Sequence, residues 1–241
     1  MTLKDLVREM LIQLRLDLTK NLKYDRLTRI IIQRTVNKKS VCIDVGCHKG
    51  EILDLILKQA PDQKHYGFEP IPILYNNLLS KYKDQAHIYN CALSDTQGET
   101  TFNHVRNAPA YSGIKQRKYA VENPDIETLQ VRLEKLDDII PETEKIDLIK
   151  IDVEGGEFNV LKGAVKLIQK NKPYIIFETG LGASEFYGTK PEDLYDFFEN
   201  VLQLKIYTLQ NWIDGKVYLS KDEFLKLYNT NAEYYFIAKS I

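Results

Sequence analysis

The stretch Ser40–Glu51, Ser-Val-Cys-Ile-Asp-Val-Gly-Cys-His-Lys-Gly-Glu, constrains the fold more than any other part of the chain. Val41–Val45 is a short apolar, β-branched run, the pattern of a strand buried on both faces of a parallel sheet. Gly46 and Gly50 bracket a tight turn, and Ile52, Leu53, Ile56 and Leu57 then recur at helical spacing as far as Pro61. Strand, glycine turn and helix make the first crossover of a doubly wound α/β domain. Such domains bind ligands where the turn meets the carboxyl end of the strand.

The turn itself narrows the ligand. A dinucleotide fingerprint needs G-x-G-x-x-G, so that pyrophosphate can sit on the helix amino terminus. Here the spacing is Gly46-x-x-x-Gly50, with Asp44 two residues before the first glycine. An acidic side chain at that point suits a ligand with an ammonium group better than one with pyrophosphate. Glu69 follows Gly50 by 19 residues, in Tyr66-Gly67-Phe68-Glu69-Pro70. At that distance the end of a second strand sets a carboxylate on ribose hydroxyls. Turn and acid together point to an adenosine cofactor other than a dinucleotide.

The 241 residues suffice for one large α/β unit. A formal net charge of −1 supplies no global field to attract nucleic acid or a membrane, although residues 1–39 hold ten Lys and Arg against four Asp and Glu. Cys42, Cys47 and Cys91 include no CxxC pair, which fits free thiols in a reducing cytoplasm. Cys42 reads as core filling. Cys47 and His48 are adjacent and lack partners at zinc spacing, so Cys47 reads as structural rather than as a ligand. No run approaches the ~18 apolar residues of a membrane span, and the charged amino terminus has no signal-peptide core.

Leu3, Leu6, Met10, Leu14 and Leu18 form a helical stripe in residues 2–20, and a second helix is expected around Tyr24–Thr35. Residues 1–39 are read as a helical cap across the mouth of the domain. The competing reading is a basic amphipathic helix on anionic lipid, against which Asp5, Glu9 and Asp17 interrupt the basic face. No Pro/Gly-rich linker divides the rest, so residues 40–241 are read as a single unit.

Ile71–Lys83 reads as a helix and Ala86–Leu93 as a third strand. Ser94 and Asp95 at its exit are either contacts for an adenine ring or an ordinary turn before Gln97-Gly98. Glu99–His104 reads as a short extra strand and Leu129–Leu136 as a cover strand. Between them Asn107–Asp125 has little periodicity, which makes it the candidate acceptor-binding loop.

The second informative stretch is Ile146–Ala164. Asp147–Val153 reads as a strand whose alternation sets Lys150, Asp152 and Glu154 on one face and Ile149, Ile151 and Val153 on the other. Charges in a buried sheet are costly unless paired or used. Either Lys150 simply neutralises Asp152, or Asp152 and Glu154 stand at the mouth of a site, and strand carboxyl ends favour the second.

Four segments now make a resemblance: Val-Cys-Ile-Asp-Val-Gly-Cys-His-Lys-Gly, Gly-Phe-Glu-Pro, Ala-Leu-Ser-Asp, and Ile-Lys-Ile-Asp-Val-Glu-Gly-Gly-Glu-Phe-Asn-Val-Leu-Lys-Gly-Ala. In this order, from about Ser40 to Glu178, the chain resembles the FkbM-type methyltransferases, a branch of the S-adenosylmethionine-dependent enzymes with the class I fold. The resemblance implies a Rossmann-like, seven-stranded, mostly parallel sheet with an antiparallel last strand. Pro173–Glu178, Leu204–Leu209 and Glu233–Lys239 supply later strands, and Pro191–Leu202 a helix. It further implies that Asp44, Gly46 and Gly50 line the methionine portion of S-adenosylmethionine, with Cys47-His48 standing where the family usually has Ala-Asn. Glu69, with Pro70 beside it, would clasp the ribose, and Ser94 would lie near adenine.

The activity so implied is O-methylation of a sugar, glycan or other small hydroxylated acceptor. A hydroxyl is a weak nucleophile, so a base should take its proton. Asp152 is the first choice, Glu154 the second, with Lys150 beside them; His48 is a further candidate in the right pKa range. Glu178, in Phe177-Glu178-Thr179-Gly180, could join Asp152 as oxygen ligands for magnesium, but two carboxylates are too few for a metal to be assigned. Two other functions are weighed. Methylation of a nitrogen on nucleic acid or protein lacks an Asn/Asp-Pro-Pro-aromatic motif and a basic-aromatic surface. A non-catalytic cofactor-binding module sits poorly with intact Asp44, Glu69 and Asp152.

Overall fold

The computed structural model describes residues 10–12, 17–117, 119 and 121–241. Of the predicted first stripe, Leu3, Leu6 and Leu14 lie outside the described residues, and Met10 and Leu18 are exposed. Helix α1 (Lys20–Thr35) starts at Thr19, whose hydroxyl accepts from the Leu22 amide at 3.2 Å. Its Tyr24, Leu27 and Ile31, spaced three and four apart, are buried with Ile32 against one face of the sheet below.

The glycine crossover folds as the sequence dictates. Strand β1 (Cys42–Val45) is buried along its whole length, and α2 (Glu51–Gln59) follows the turn. Then come β2 (His65–Phe68), α3 (Pro72–Tyr82) and β3 (Ala86–Tyr89). The expected third strand, Ala86–Leu93, is in fact two. β3 pairs with β2, whereas β4 (Ala92–Leu93) belongs to a second sheet. The break falls at Asn90, whose side-chain amide donates to the carbonyls of Glu69 and Pro70 and turns the chain off the edge of the first sheet.

That second sheet is three-stranded, ordered β4, β6 (Ile126–Glu134), β5 (Gly98–Val105), with β5 and β6 antiparallel. After the one-turn helix α4 (Leu136–Ile139), β7 (Leu148–Ile151) returns to the main sheet, followed by α5 (Glu157–Lys162), α6 (Val165–Asn171) and β8 (Tyr174–Glu178). Helix α7 (Pro191–Asp196) passes into a π-helical stretch, Phe197–Leu202, before β9 (Lys205–Thr208). Helices α8 (Leu209–Ile213) and α9 (Lys221–Asn229) lead to β10 (Tyr235–Lys239).

The main sheet is ordered β3-β2-β1-β7-β8-β10-β9. Its last strand in the chain, β10, is antiparallel to both neighbours, and the others of β1, β2, β3, β7 and β8 pair in parallel. Alternation sorts the core into two layers. Ile43, Val45, Ile149, Ile151, Ile175 and Phe177 face one layer; Cys42, Leu148, Ile176 and Ile237 face the other, under α1. The face under α1 therefore carries Asp44, Lys150 and Glu178, and it ends in the site. Among the described residues no helix is long and apolar enough to cross a membrane.

Candidate active site

The glycine turn is strapped to the end of β2. Gly46 and Cys47 both donate amides to the Phe68 carbonyl, at 3.0 and 3.1 Å, and Gly50 donates to Cys47 at 2.7 Å. Gly46 has φ +82°, and a Cβ there would meet the Asp152 carbonyl oxygen at 2.0 Å. Only glycine lets the turn lie this close to the strand end that carries Asp152. Gly50 caps α2, and its carbonyl accepts from the Tyr82 hydroxyl at 2.6 Å.

Glu69 closes the turn from the other side. One carboxylate oxygen accepts from the His48 amide at 2.8 Å and the other from the Ile71 amide at 2.9 Å, spanning Pro70. Burial pushes Glu69 up to about 7 against the pull of those two amides. Cys47 points inward, its thiol donating to the Asp44 carbonyl at 3.2 Å, and burial holds it protonated. His48 points the other way, with Nδ1 3.8 Å from Glu51. Cys47 and His48 thus diverge rather than chelate.

Asp44 is the most telling residue of the turn. It is 0% exposed, and neither carboxylate oxygen has a hydrogen-bond partner. Burial raises it to about 7, with Lys150 the chief opposing charge. An unpaired carboxylate in such a place is expensive, and a cation-bearing ligand with N–H donors would repair it.

A second cluster lies level with the turn. Asp44 pairs with Lys150 across β1 and β7, and Lys150 with Ile176 across β7 and β8. Two residues further on, Asp152 and Glu178 are level, and Glu178 pairs with Tyr235 of the antiparallel β10. Asp152 lies just past the end of β7 rather than within it. Its Oδ2 accepts from Lys150 Nζ at 2.9 Å and from the Tyr235 hydroxyl. Burial would raise Asp152, but the Lys150 charge and hydrogen bonds with Glu178 and Tyr235 hold it down at about 2. Burial would lower Lys150, but Asp152 and Asp44 keep it charged.

Glu154 is off the strand, in the left-handed region at φ 59°, yet its carboxylate converges on the same spot. Asp152, Glu154 and Glu178 bring oxygens within 4.8 Å of one another, a spacing that could hold a metal ion. Two of the three already carry a cation from the chain, Lys150 on Asp152 and Arg117 on Glu154. Burial, then the Asp152 charge, raises Glu154 to about 8 against the pull of Arg117. The loop is pinned by Glu157, which accepts from the Val153 and Gly155 amides at 2.9 and 3.1 Å.

The structure thus brings together Asp44, Gly46, Cys47, His48, Gly50, Glu69 and Pro70 at one turn, and Lys150, Asp152 and Glu154 beside it. Ser94 stands apart. It follows β4 in the second sheet, its amide donating to Glu134 and its carbonyl packed against Gly163. The residue that leaves β3 beside Glu69 is Asn90. Sequence reasoning missed Tyr235 and Arg117. Arg117 lies in the loop singled out as acceptor-binding, and a lone arginine opposite an acidic strand end was the available signal. For Tyr235 the chain offered none.

A model of the FkbM methyltransferase domain matches residues 44–204, well over half of the chain. Methyltransferase sdnD of Sordaria araneosa is 29% identical over 152 residues, covering 50% of this chain and 59% of that protein. The 2-O-methyltransferase NoeI of Sinorhizobium fredii is 24% identical over 162 residues, covering 61% of this chain and 66% of that protein. The match spans less than two thirds of the length of either relative. The solved structure of methyltransferase FkbM from Methylobacillus flagellatus KT superposes with a TM-score of 0.51 at 16% identity, covering 84% of this chain and 44% of that one, a likeness of fold. On the extent of the family match, and with the fold in agreement, the chain belongs to the FkbM methyltransferase family.

Proposed function

We propose that the protein transfers a methyl group from S-adenosylmethionine to a hydroxyl oxygen of a sugar, glycan or other small acceptor. The carrying observation is Asp44, fully buried at the glycine turn with both carboxylate oxygens unpartnered. These residues fit the cofactor. Asp44 would take its ammonium, and Glu69 would exchange its two backbone donors for the ribose hydroxyls. Pro70 and Asn90 border an open cleft of about 490 Å³ that would receive the adenine end. When bound, the cofactor supplies an electrophilic methyl group whose electron pair leaves with sulfur.

The chain must then orient the acceptor and take one proton. Asp152 and Glu154 divide those needs. Asp152, which Lys150 and Tyr235 hold toward its ionised form, can accept a hydrogen bond from the acceptor hydroxyl. Glu154, titrating at about 8, has the proton affinity suited to a base near neutrality. Lys150 keeps Asp152 charged while it waits. The proton leaves the acceptor oxygen for this carboxylate pair as the new O–C bond forms, so alignment is the main demand on the site. The 2-O-methyltransferase NoeI, to which the chain is similar, supports oxygen as the target.

Calorimetry tests the reading. S-adenosylmethionine and S-adenosylhomocysteine should bind the wild type in the micromolar range, and Glu69→Ala should weaken both by about tenfold or more, roughly 1.4 kcal/mol. Binding would be followed by a labelled-methyl screen over sugars and glycolipid precursors. No binding to the wild type would overturn the reading.

A further inference from the structure

The two parts of the chain outside the matched residues 44–204 grip each other beside the acidic cluster. On α1, Lys20 Nζ donates to the carbonyls of Asn231 and Ala232, at 2.8 and 3.0 Å. Lys23 pairs with Glu233 at 2.8 Å. The Tyr24 hydroxyl donates to Glu233 and accepts from the Tyr234 amide. The Tyr24 ring lies 5.1 Å from that of Tyr235, centroid to centroid, and 4.7 Å edge-on from that of Tyr234. Tyr235, the first residue of β10, then donates its hydroxyl to Asp152.

We propose that Tyr235 is a positioning residue for Asp152, locked in place by Tyr24 of α1. Three features carry this. The hydroxyl approaches the same oxygen that Lys150 holds, so two donors from different strands fix the carboxylate in one rotamer. Burial and the charges of Asp152 and Glu178 raise Tyr235 well above its ordinary value, so it keeps its proton and can donate to Asp152. Glu178 and Asp152 bring carboxyl oxygens within 4.8 Å of each other, and burial with the Asp152 charge raises Glu178 well above the ordinary carboxylate range, so one proton serves the pair. With two donors on Asp152, that proton resides on Glu178 and leaves Asp152 the ionised member. The charged groups facing Asp152 are Lys150, Asp44, Glu154, Glu157 and Glu178, with Arg117 one step further on Glu154. Tyr235 is the neutral donor among them, and removing it shifts the shared proton toward Asp152. That this control of the shared proton serves catalysis rests on Asp152 meeting the acceptor; the control itself does not.

The test is a carbon-13 carboxyl NMR titration of the full chain labelled at Asp and Glu, comparing wild type, Tyr235→Phe and Tyr24→Leu. Tyr235→Phe keeps the buried ring and deletes one oxygen. Its Asp152 signal should titrate at a pH higher by about one unit, with Glu178 moving the opposite way. Tyr24→Leu should reproduce the direction at smaller size. An Asp152 midpoint unmoved in Tyr235→Phe overturns the proposal, and one unmoved in Tyr24→Leu overturns the part given to α1. Should Tyr235→Phe not fold, Asp152→Asn with tyrosine labelled at Cζ reads the same bond from the other end. The Tyr235 Cζ signal should then move from its wild-type position at neutral pH, and no change sinks the idea. S-adenosylhomocysteine binding separates the two readings, since its absence in the wild type would defeat the proposed function and leave the titration result standing.

Discussion

On the proposed reading, Asp44 favours binding at the cost of the unliganded fold. Its carboxylate is fully buried without a donor, and it is retained only because Lys150 lies across the strand pair. Replacing it by asparagine removes a buried charge and keeps the volume. Asp44→Asn should therefore raise the melting temperature of the free protein at pH 8, by the equivalent of about 1 kcal/mol. The same change should weaken S-adenosylhomocysteine by about tenfold or more, since the ligand ammonium loses its counter-charge. Scanning fluorimetry and calorimetry read the two effects, and a fall in both would show that Asp44 is structural. The placing of Asp44 and Glu69 at one turn was legible in the sequence because it is set by short local spacing from two glycines. Tyr235 was not. Its bond to Asp152 joins residues 83 positions apart, through an antiparallel return whose register no local pattern encodes.

Among the elements, the Asp152–Glu157 loop is the one that converts a strand end into a site. Simple alternation puts Lys150, Asp152 and Glu154 on one face, but the strand stops at Ile151 and Glu154 arrives by a left-handed turn. The convergence was foreseen for a reason that only partly holds. Glu157 makes the turn possible by receiving two amides that would otherwise be orphaned. Glu157→Ala should cost about 2–4 kcal/mol by leaving those donors buried and unpaired, whereas Glu157→Gln keeps an acceptor oxygen and should cost less than half as much. Urea unfolding of the two variants decides it; equal losses would mean that packing, not the paired amides, holds the loop. The split of Ala86–Leu93 is a similar lesson. An apolar run of that length reads as one strand, and the sequence carries no sign that Asn90 spends its amide on the Glu69 and Pro70 carbonyls and diverts the chain.

For the whole molecule, the acids gathered at the glycine turn and the end of β7 set the pH dependence of stability. Burial raises Asp44, Glu69 and Glu157 to about 7 and Glu154 to about 8. Unfolded, such groups titrate near 4. A carboxyl whose folded value is raised contributes stability that is complete below about pH 4 and is lost as pH climbs through 7 to 8. Asp152, held at about 2, has the opposite sign, with stability present above about pH 4 and lost as pH falls through 2. The ligand-free protein should thus be most stable in mildly acid solution, around pH 4–5, and soften steadily toward pH 8. A ligand that places an ammonium on Asp44 and hydroxyls on Glu69 binds their ionised forms. Its affinity should rise between about pH 6 and pH 8, in the same interval in which the free protein weakens. Melting curves at pH 5, 6.5 and 8, with and without S-adenosylhomocysteine, test both halves. The gap between the two curves should widen with pH. A free-protein melting temperature that is flat or rises from pH 5 to 8 would mean that these acids are already paired in solution, and the case for Asp44 as the ligand's anchor would fall with it.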